Sequence, residues 1–297
     1  MKKRWIGGIM ALVLAGTSAF SLMPAYTAQA EPQRASGTTY YVDSNGGNDG
    51  NNGTSESQAF KTLGKINSLD LGPGDQVLLK KGSVFESQWL HVQGSGSEGN
   101  PIIISTYGEG DRPKINTNGQ GQWEQNYGKP LDNANHRWNG TVSSAILLKD
   151  VEYIEIRGLE LTNDRDAAGN PSAETAKKYN AADCMDRTGV AGVAKDKGTL
   201  EHIVLDDLYI HDVDGNVYNK HMANGGIYFI IEKPTDDASA EIPRYEDLAI
   251  RNCRLDTVNR WGIAVGYTYN WDKFQSAEIS DSVVRTYGSS DVVIENN

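Results

Sequence analysis

Two groups of residues in this chain have the types and spacing for carbohydrate chemistry. The first is His211-Asp212-Val213-Asp214-Gly215-Asn216, running on to Tyr218, Lys220, His221 and Asn224. Glycoside hydrolysis uses two carboxyl groups across the scissile bond, one giving a proton and one ionised. Asp212 and Asp214 are two apart and share a face if the segment is an extended strand. His221 is the neighbouring candidate for proton transfer. The alternation of Asp, Asp and Asn is also similar to the start of a calcium loop, which makes Ca2+ a candidate cofactor. The distal Glu of an EF-hand is missing, with Ala223 in its place, and a turn with solvated carboxylates is the competing reading. A β-elimination on a uronate would instead need a base and a cation to neutralise the carboxylate, drawn from Lys220, His221 or Arg260.

The second group is Arg260-Trp261, then Tyr267-Thr268-Tyr269-Asn270-Trp271-Asp272. The rings of Trp261, Tyr267, Tyr269 and Trp271 can cover the C–H faces of a sugar while Arg260 and its neighbours bond the hydroxyls. Packing of these rings on the outside of a scaffold is the alternative. Trp123 and Trp138, within residues 119–139, could line the same cleft or fold on themselves. The chain has no Gly-x-Ser-x-Gly elbow, no His-Glu-x-x-His and no phosphate-binding Gly-rich loop ahead of Lys-Ser/Thr.

The elements that must position these residues announce themselves as repeats. Segments 153–161, 202–210, 247–255 and 276–284 superimpose without gaps, with apolar or small residues two, three and two apart. The step of three breaks strand alternation, so the chain must bend there while the same face stays inward. The bend residue is Gly158, Asp207, Asn252 or Asp281, types that tolerate left-handed backbone. Two strands joined by such a corner describe a coil of a parallel β-helix. Third strands are expected at 189–194, 226–231 and 262–267, with 291–295 a further candidate. Between repeats the spacing is 49, 45 and 29 residues. Excursions are therefore expected at 163–187, 211–225 and 232–245, where loops on a rigid scaffold carry binding and catalysis. A short helix is expected within 59–69, where Phe60, Leu63 and Ile66 recur at helical spacing.

The opening Tyr40-Tyr41-Val42-Asp43-Ser44-Asn45-Gly46-Gly47-Asn48-Asp49, with Gly53-Thr54, Phe60-Lys61-Thr62-Leu63 and 73–82, resembles the start of pectate-lyase-like β-helix proteins. That resemblance implies a right-handed parallel β-helix with a first strand and capping helix over about 38–82 and coils over about 83–297. It leaves activity open, because lyases, glycosidases and other proteins share this opening. The paired-aspartate and Arg-x-Lys motifs of polygalacturonases and the motifs of calcium-dependent pectate lyases are not found.

Met1-Lys2-Lys3-Arg4, an apolar run to about Phe20 and Ala28-Gln29-Ala30 read as a secretory signal peptide over 1–30, leaving one all-β domain over 31–297. The formal net charge is −11, and without the three basic residues of that segment it is −14. Such acidity disfavours nucleic acid, whose phosphates need clustered Lys and Arg. No later apolar stretch is long enough for a membrane span. With only Cys184 and Cys253 there is no disulfide framework, and Cys253 is expected to be a buried free thiol. Ile294-Glu295-Asn296-Asn297 imitates the corner Ile250-Arg251-Asn252-Cys253, so the chain reads as a C-terminally truncated stack. The expected protein is a secreted monomer acting on an oligo- or polysaccharide, foremost as a glycoside hydrolase. A polysaccharide lyase and a non-catalytic glycan-binding or adhesion module are the alternatives.

Overall fold

The computed structural model describes residues 37–130, 137–164, 185–216, 221–236, 241–269 and 281–297. The expected signal peptide, Cys184, Tyr218, Lys220 and Trp271 lie outside the described residues. In chain order the strands are β1 (Thr39–Val42), β2 (Gln76–Lys80), β3 (Val84–Glu86), β4 (Leu90–His91), β5 (Ile102–Tyr107), β6 (Lys114–Asn116), β7 (Gln122–Asn126), β8 (Asn139–Lys149) and β9 (Ile154–Arg157). They continue as β10 (Glu160–Asn163), β11 (Asp186–Ala194), β12 (Thr199–Asp206), β13 (Tyr209–Val213), β14 (Gly225–Ile231), β15 (Arg244–Arg251), β16 (Arg254–Val258), β17 (Trp261–Thr268) and β18 (Ser290–Glu295). The helices among the described residues are short: α1 (Leu63–Asn67), α2 (Asp281–Tyr287) and a 3-10 turn at Glu56–Gln58.

The strands form three sheets. The first runs β1-β2-β5-β9-β12-β15-β18, the second β16-β13-β10-β6-β3 and the third β17-β14-β11-β8-β4. From β9 to β17, successive strands enter the three sheets in rotation. The strands are paired in parallel throughout, except that β7 lies antiparallel to β8. Register stacks like on like: Ile102, Ile154, Ile203 and Leu248 face inward in one column, and Ile104, Ile156, Leu205 and Ile250 in the next. Burying each such side chain contributes about 1.5–3 kcal/mol.

The predicted corner is present at Gly158, Asp207 and Asn252, with φ of 76°, 56° and 55°. A second left-handed column stands at Tyr153, just before β9, and at His202, Asp247 and Asp291 inside β12, β15 and β18, with φ of 52°, 52°, 55° and 52°. The fourth repeat is not where the spacing of 276–284 puts it, and 276–280 lie outside the described residues. Asp281 opens α2, and β15 pairs instead with β18, setting Leu248 opposite Val292 and Ile250 opposite Ile294. The corner therefore falls at Asn296, φ 54°. The strand at 291–295 accordingly belongs to the first sheet, not the third. A short apolar run such as 276–284 fits strand and helix alike, and only pairing separates them.

The expected helix is shorter than 59–69. Phe60 bridges to Val42 as extended chain, and α1 buries only Leu63 and Ile66. Asp49 sets its start by accepting the Lys61 and Thr62 N–H groups at 2.8 and 2.9 Å.

In the third sheet, small residues stand where the second sheet presses in. A Cβ on Gly226 would lie 2.3 Å from Leu255 Cδ2, and one on Gly189 2.5 Å from Ile210 Cγ2. Cys253 is a buried free thiol, as expected, and burial pushes its pKa up.

Candidate functional site

The connections from the second sheet to the third gather buried polar side chains. Asn163, Asp186, Arg187, Thr188, Asn216 and Asn224 are all buried there. A buried polar group left unpaired costs about 1–3 kcal/mol, so such a cluster survives only with its partners in place. Asn163, ending β10, accepts from the Gly119 N–H at 2.9 Å and donates to the Ser143 and Thr188 carbonyls at 3.1 Å each. Asn224, just before β14, accepts from the Arg187 N–H at 3.1 Å and donates to the Asn216 carbonyl. The Arg187 guanidinium reaches the Asp164 carbonyl. Asp186, with its side chain fully buried, pairs with Arg137 at 3.4 Å.

Gly215 joins two coils at this point. A Cβ on it would lie 1.8 Å from Asn224 Oδ1 and 2.7 Å from Arg187 N, so only glycine fits. The Asp214 N–H donates to the Asn163 carbonyl at 3.2 Å on one side. On the other, Asn259 donates its N–H to Val213 at 2.9 Å and its side-chain amide to Gly215. Asp186 and Asp214 thus stand one residue from the Arg187–Gly215 contact, from different coils.

Asp212 goes elsewhere. Its φ is +48°, and the pairing of β10 with β13 passes from Thr162–His211 to Asn163–Val213, leaving Asp212 as a bulge residue. A bulge breaks strand alternation, so Asp212 and Asp214 do not follow the two-apart rule expected of them. The half-exposed Asp212 carboxylate bonds His211 Nδ1 at 2.8 Å, while His211 Nε2 meets Glu160 at 3.0 Å. The His211 ring stacks on Tyr209 with centroids 4.3 Å apart.

His221 lies on the same β13–β14 connection as Asp214, with φ +66°. Its carbonyl accepts from Gln125 and from the Tyr127 hydroxyl. Arg260, φ +67°, precedes β17, and Trp261 pairs in register with Gly225. The Arg260 guanidinium sits 5.5 Å from the Trp261 ring, which is 37% exposed. Arg260 and Trp261 therefore adjoin the Asn224–Gly225 end of the polar cluster. Left-handed backbone at a non-glycine residue is costly and concentrates at functional sites.

The aromatic wall does not hold together as sequence proximity suggests. Tyr269 is buried in the core at 2% exposure, eight residues beyond Trp261 and about 25 Å away along an extended strand. Tyr267 lies on β17 opposite Ile230, also toward that far end. Trp123 is buried too, its indole N–H bonding the Ser144 hydroxyl at 2.8 Å.

A cavity of about 840 Å3 lies away from this cluster, over the outer face of the first sheet. Its charged groups serve one another. His202 bonds Asp247 at 2.7 Å and Glu155 at 3.2 Å, Arg157 pairs with Glu155, and the Tyr153 hydroxyl bonds Glu201. The β10–β11 and β13–β14 connections, whose polar groups bind backbone across coils, are the stronger candidate. Among the described residues, no group of three or more His, Cys, Asp or Glu is arranged to hold a metal, and no helix is long and apolar enough to cross a membrane.

Asp186, Arg187, Asn163 and Gln125 were not singled out from the sequence. One signal was available: the pair Asp186-Arg187 opens a strand whose other residues form a continuous small and apolar run.

No family model matches the chain. It is 44% identical to a lacto-N-biosidase of Bifidobacterium longum subsp. longum, over 98% of this chain and 20% of that protein. Crystal structures of the GH136 lacto-N-biosidase from Eubacterium ramulus, as a selenomethionine derivative and as the native protein, match it with TM-scores of 0.80 and 0.79. Both are 48% identical to it and cover 86% of this chain and 40% of theirs. The chain is thus similar to part of the glycan-acting lacto-N-biosidases, spanning a fifth of the curated relative and two-fifths of the solved ones.

Proposed function

We propose that this chain is the β-helix portion of a secreted glycoside hydrolase that removes a terminal disaccharide of lacto-N-biose type from an extracellular oligosaccharide. The observation that carries the reading is the close approach of Gly215 to the Arg187 backbone, which brings together from adjacent coils the chain positions that precede them, Asp214 and Asp186. Hydrolysis of a glycosidic bond needs two carboxyl groups held apart across it, one protonating the leaving oxygen and the other activating or making the attack. Asp186, buried beside Arg137, and the partly exposed Asp214 are the pair we assign. Arg260 and Trp261, on the neighbouring coil, are assigned to the sugar, with the indole against a C–H face and the guanidinium toward hydroxyls. The names of the similar proteins support the substrate class. Secretion rests on the pattern of residues 1–30. A right-handed winding, as in pectate-lyase-like proteins, is supported by the strong right-handed preference of parallel crossovers.

The test uses the full-length protein against a glycan panel that includes an oligosaccharide ending in lacto-N-biose. The wild type is expected to release reducing disaccharide. Asp214→Asn and Asp186→Asn, each checked for a native melting transition, are expected to lose about 10²–10⁴-fold in kcat. Absence of product from every glycan, or wild-type rates in both folded variants, would refute the reading.

A further inference from the structure

We infer that Gln125, on a strand far from the candidate residues in sequence, is a positioning residue that sets the backbone of His221–Asn224. The inference rests on the hydrolase reading for its effect on rate, but not for its structural content. Gln125 is fully buried and uses both ends of its amide on one stretch of chain. Its Oε1 accepts from the Ala223 N–H at 2.7 Å, and its Nε2 donates to the His221 carbonyl at 3.1 Å. The side chain thus pairs with that segment as a neighbouring peptide group would, across nearly a hundred residues of sequence.

Two further contacts fix the strand that carries it. The Tyr127 hydroxyl bonds the same His221 carbonyl at 2.7 Å, and the Asn126 N–H donates to buried Glu232 at 2.6 Å. The held segment ends in Asn224, whose amide touches both Arg187 N–H and the Asn216 carbonyl and lies against Gly215. A continuous path of bonds therefore runs from Gln125 to the chain beside Asp186 and Asp214. Without Gln125 the His221 carbonyl keeps the Tyr127 hydroxyl but loses its amide donor, and the buried Ala223 N–H loses its acceptor, which loosens the chain leading into Asn224. A displacement of about 1 Å at reacting groups can cost on the order of a hundredfold in rate.

Two variants separate positioning from mere stability. Gln125→Leu keeps bulk and removes both bonds. Gln125→Glu keeps the acceptor but sets an ionised oxygen against the His221 carbonyl until it is protonated, when it can donate again. Backbone amide exchange is measured on the full-length protein. In Gln125→Leu, peptides spanning 221–224 are expected to exchange at least about tenfold faster while the first-sheet strands stay unchanged. On the glycan that the wild type cleaves, kcat is expected to fall on the order of ten- to a hundredfold with little change in KM. The Gln125→Glu profile is expected to recover toward wild type as pH falls, a limb the wild type lacks. Unchanged exchange at 221–224 in folded Gln125→Leu, or in Gln125→Glu at alkaline pH, overturns the inference, whether or not any glycan is cleaved. Should Gln125→Leu fail to fold, the exchange and pH profile of Gln125→Glu decide. A protein inactive on every glycan but with faster exchange at 221–224 would refute the hydrolase reading and leave the positioning intact.

Discussion

The first and third sheets are built from the same coils, yet their outer faces are opposites. In the first sheet, β9 and β15 alternate buried and partly exposed positions, with Ile154, Ile156, Leu248 and Ile250 inside. The outward column Arg157, Asp206, Arg251 and Glu295 alternates in sign from coil to coil, with Arg251 Nε 3.3 Å from Asp206. In the third sheet every residue of β11 and β14 is buried, on both faces. A solvated face can satisfy its charges with water and with its neighbours on the same sheet. A doubly buried face must draw each polar partner from another element, which is how Asn163, Asn224 and Gln125 come to bind backbone across coils. The candidate site lies where that demand is greatest.

The largest effect should expose the contrast in packing. Gly226→Val meets Leu255 Cδ2 at 2.3 Å and the Gly262 carbonyl at 2.6 Å, and backbone cannot swing aside. It is expected to cost about 3 kcal/mol in urea unfolding. Ala249→Val, on the outer face of the first sheet, should stay within about 0.5 kcal/mol. Equal losses at the two positions would break the comparison.

Next in size is the polar network. Asn163→Leu strips partners from the Gly119 N–H and from the Ser143 and Thr188 carbonyls. A loss of about 2–3 kcal/mol is expected. Arg251→Ser on the first sheet, removing a surface ion pair, should cost about 0.5 kcal/mol or less. The two unfolding midpoints, measured side by side, give the answer.

The smallest effect is a pH dependence confined to the first sheet. Burial alone would lower the His202 pKa, but bonds to Asp247 and Glu155 outweigh it and the net shift is upward. Tyr153, Glu201, Glu98, Arg157, Glu246 and Asp291 are the other titratable or charged groups at that face. A raised folded value means that the contribution is complete below the unfolded value, about 6.5, and fades as pH rises through the folded one. His202→Gln should therefore be less stable than wild type at pH 5, by less than about 1 kcal/mol, with the gap closing by pH 9. A gap that widens toward alkaline pH would reverse the assignment.

How much could be read in advance follows the same division. The first sheet was legible because its inward residues recur at fixed steps and its corner selects Gly, Asp or Asn, as at Gly158, Asp207 and Asn252. In the second left-handed column, His202, Asp247 and Asp291 are types that tolerate such backbone, and Tyr153 is the member that no residue preference would flag. The fourth repeat misled because 276–284 has apolar spacing that a helix also satisfies, as α2 shows over its second half. At the site, Asp214, His221, Arg260 and Trp261 were visible as residue types beside a strand. Asp186 and Arg187 were not, since nothing local explains a charged pair at the mouth of a buried strand.

By itself, then, the sequence determined the repeat, the inward columns, the corner residues and the excursions that interrupt them, because these depend on steps of two and three along one chain. The tertiary structure alone decided that Asp212 is a bulge residue, that Gly215 closes on the Arg187 backbone, and that Trp261 and Tyr269 part to opposite ends of β17. Those outcomes depend on register between coils about 45 residues apart in sequence, and on which buried amide finds which backbone group. Local spacing carries no information about either.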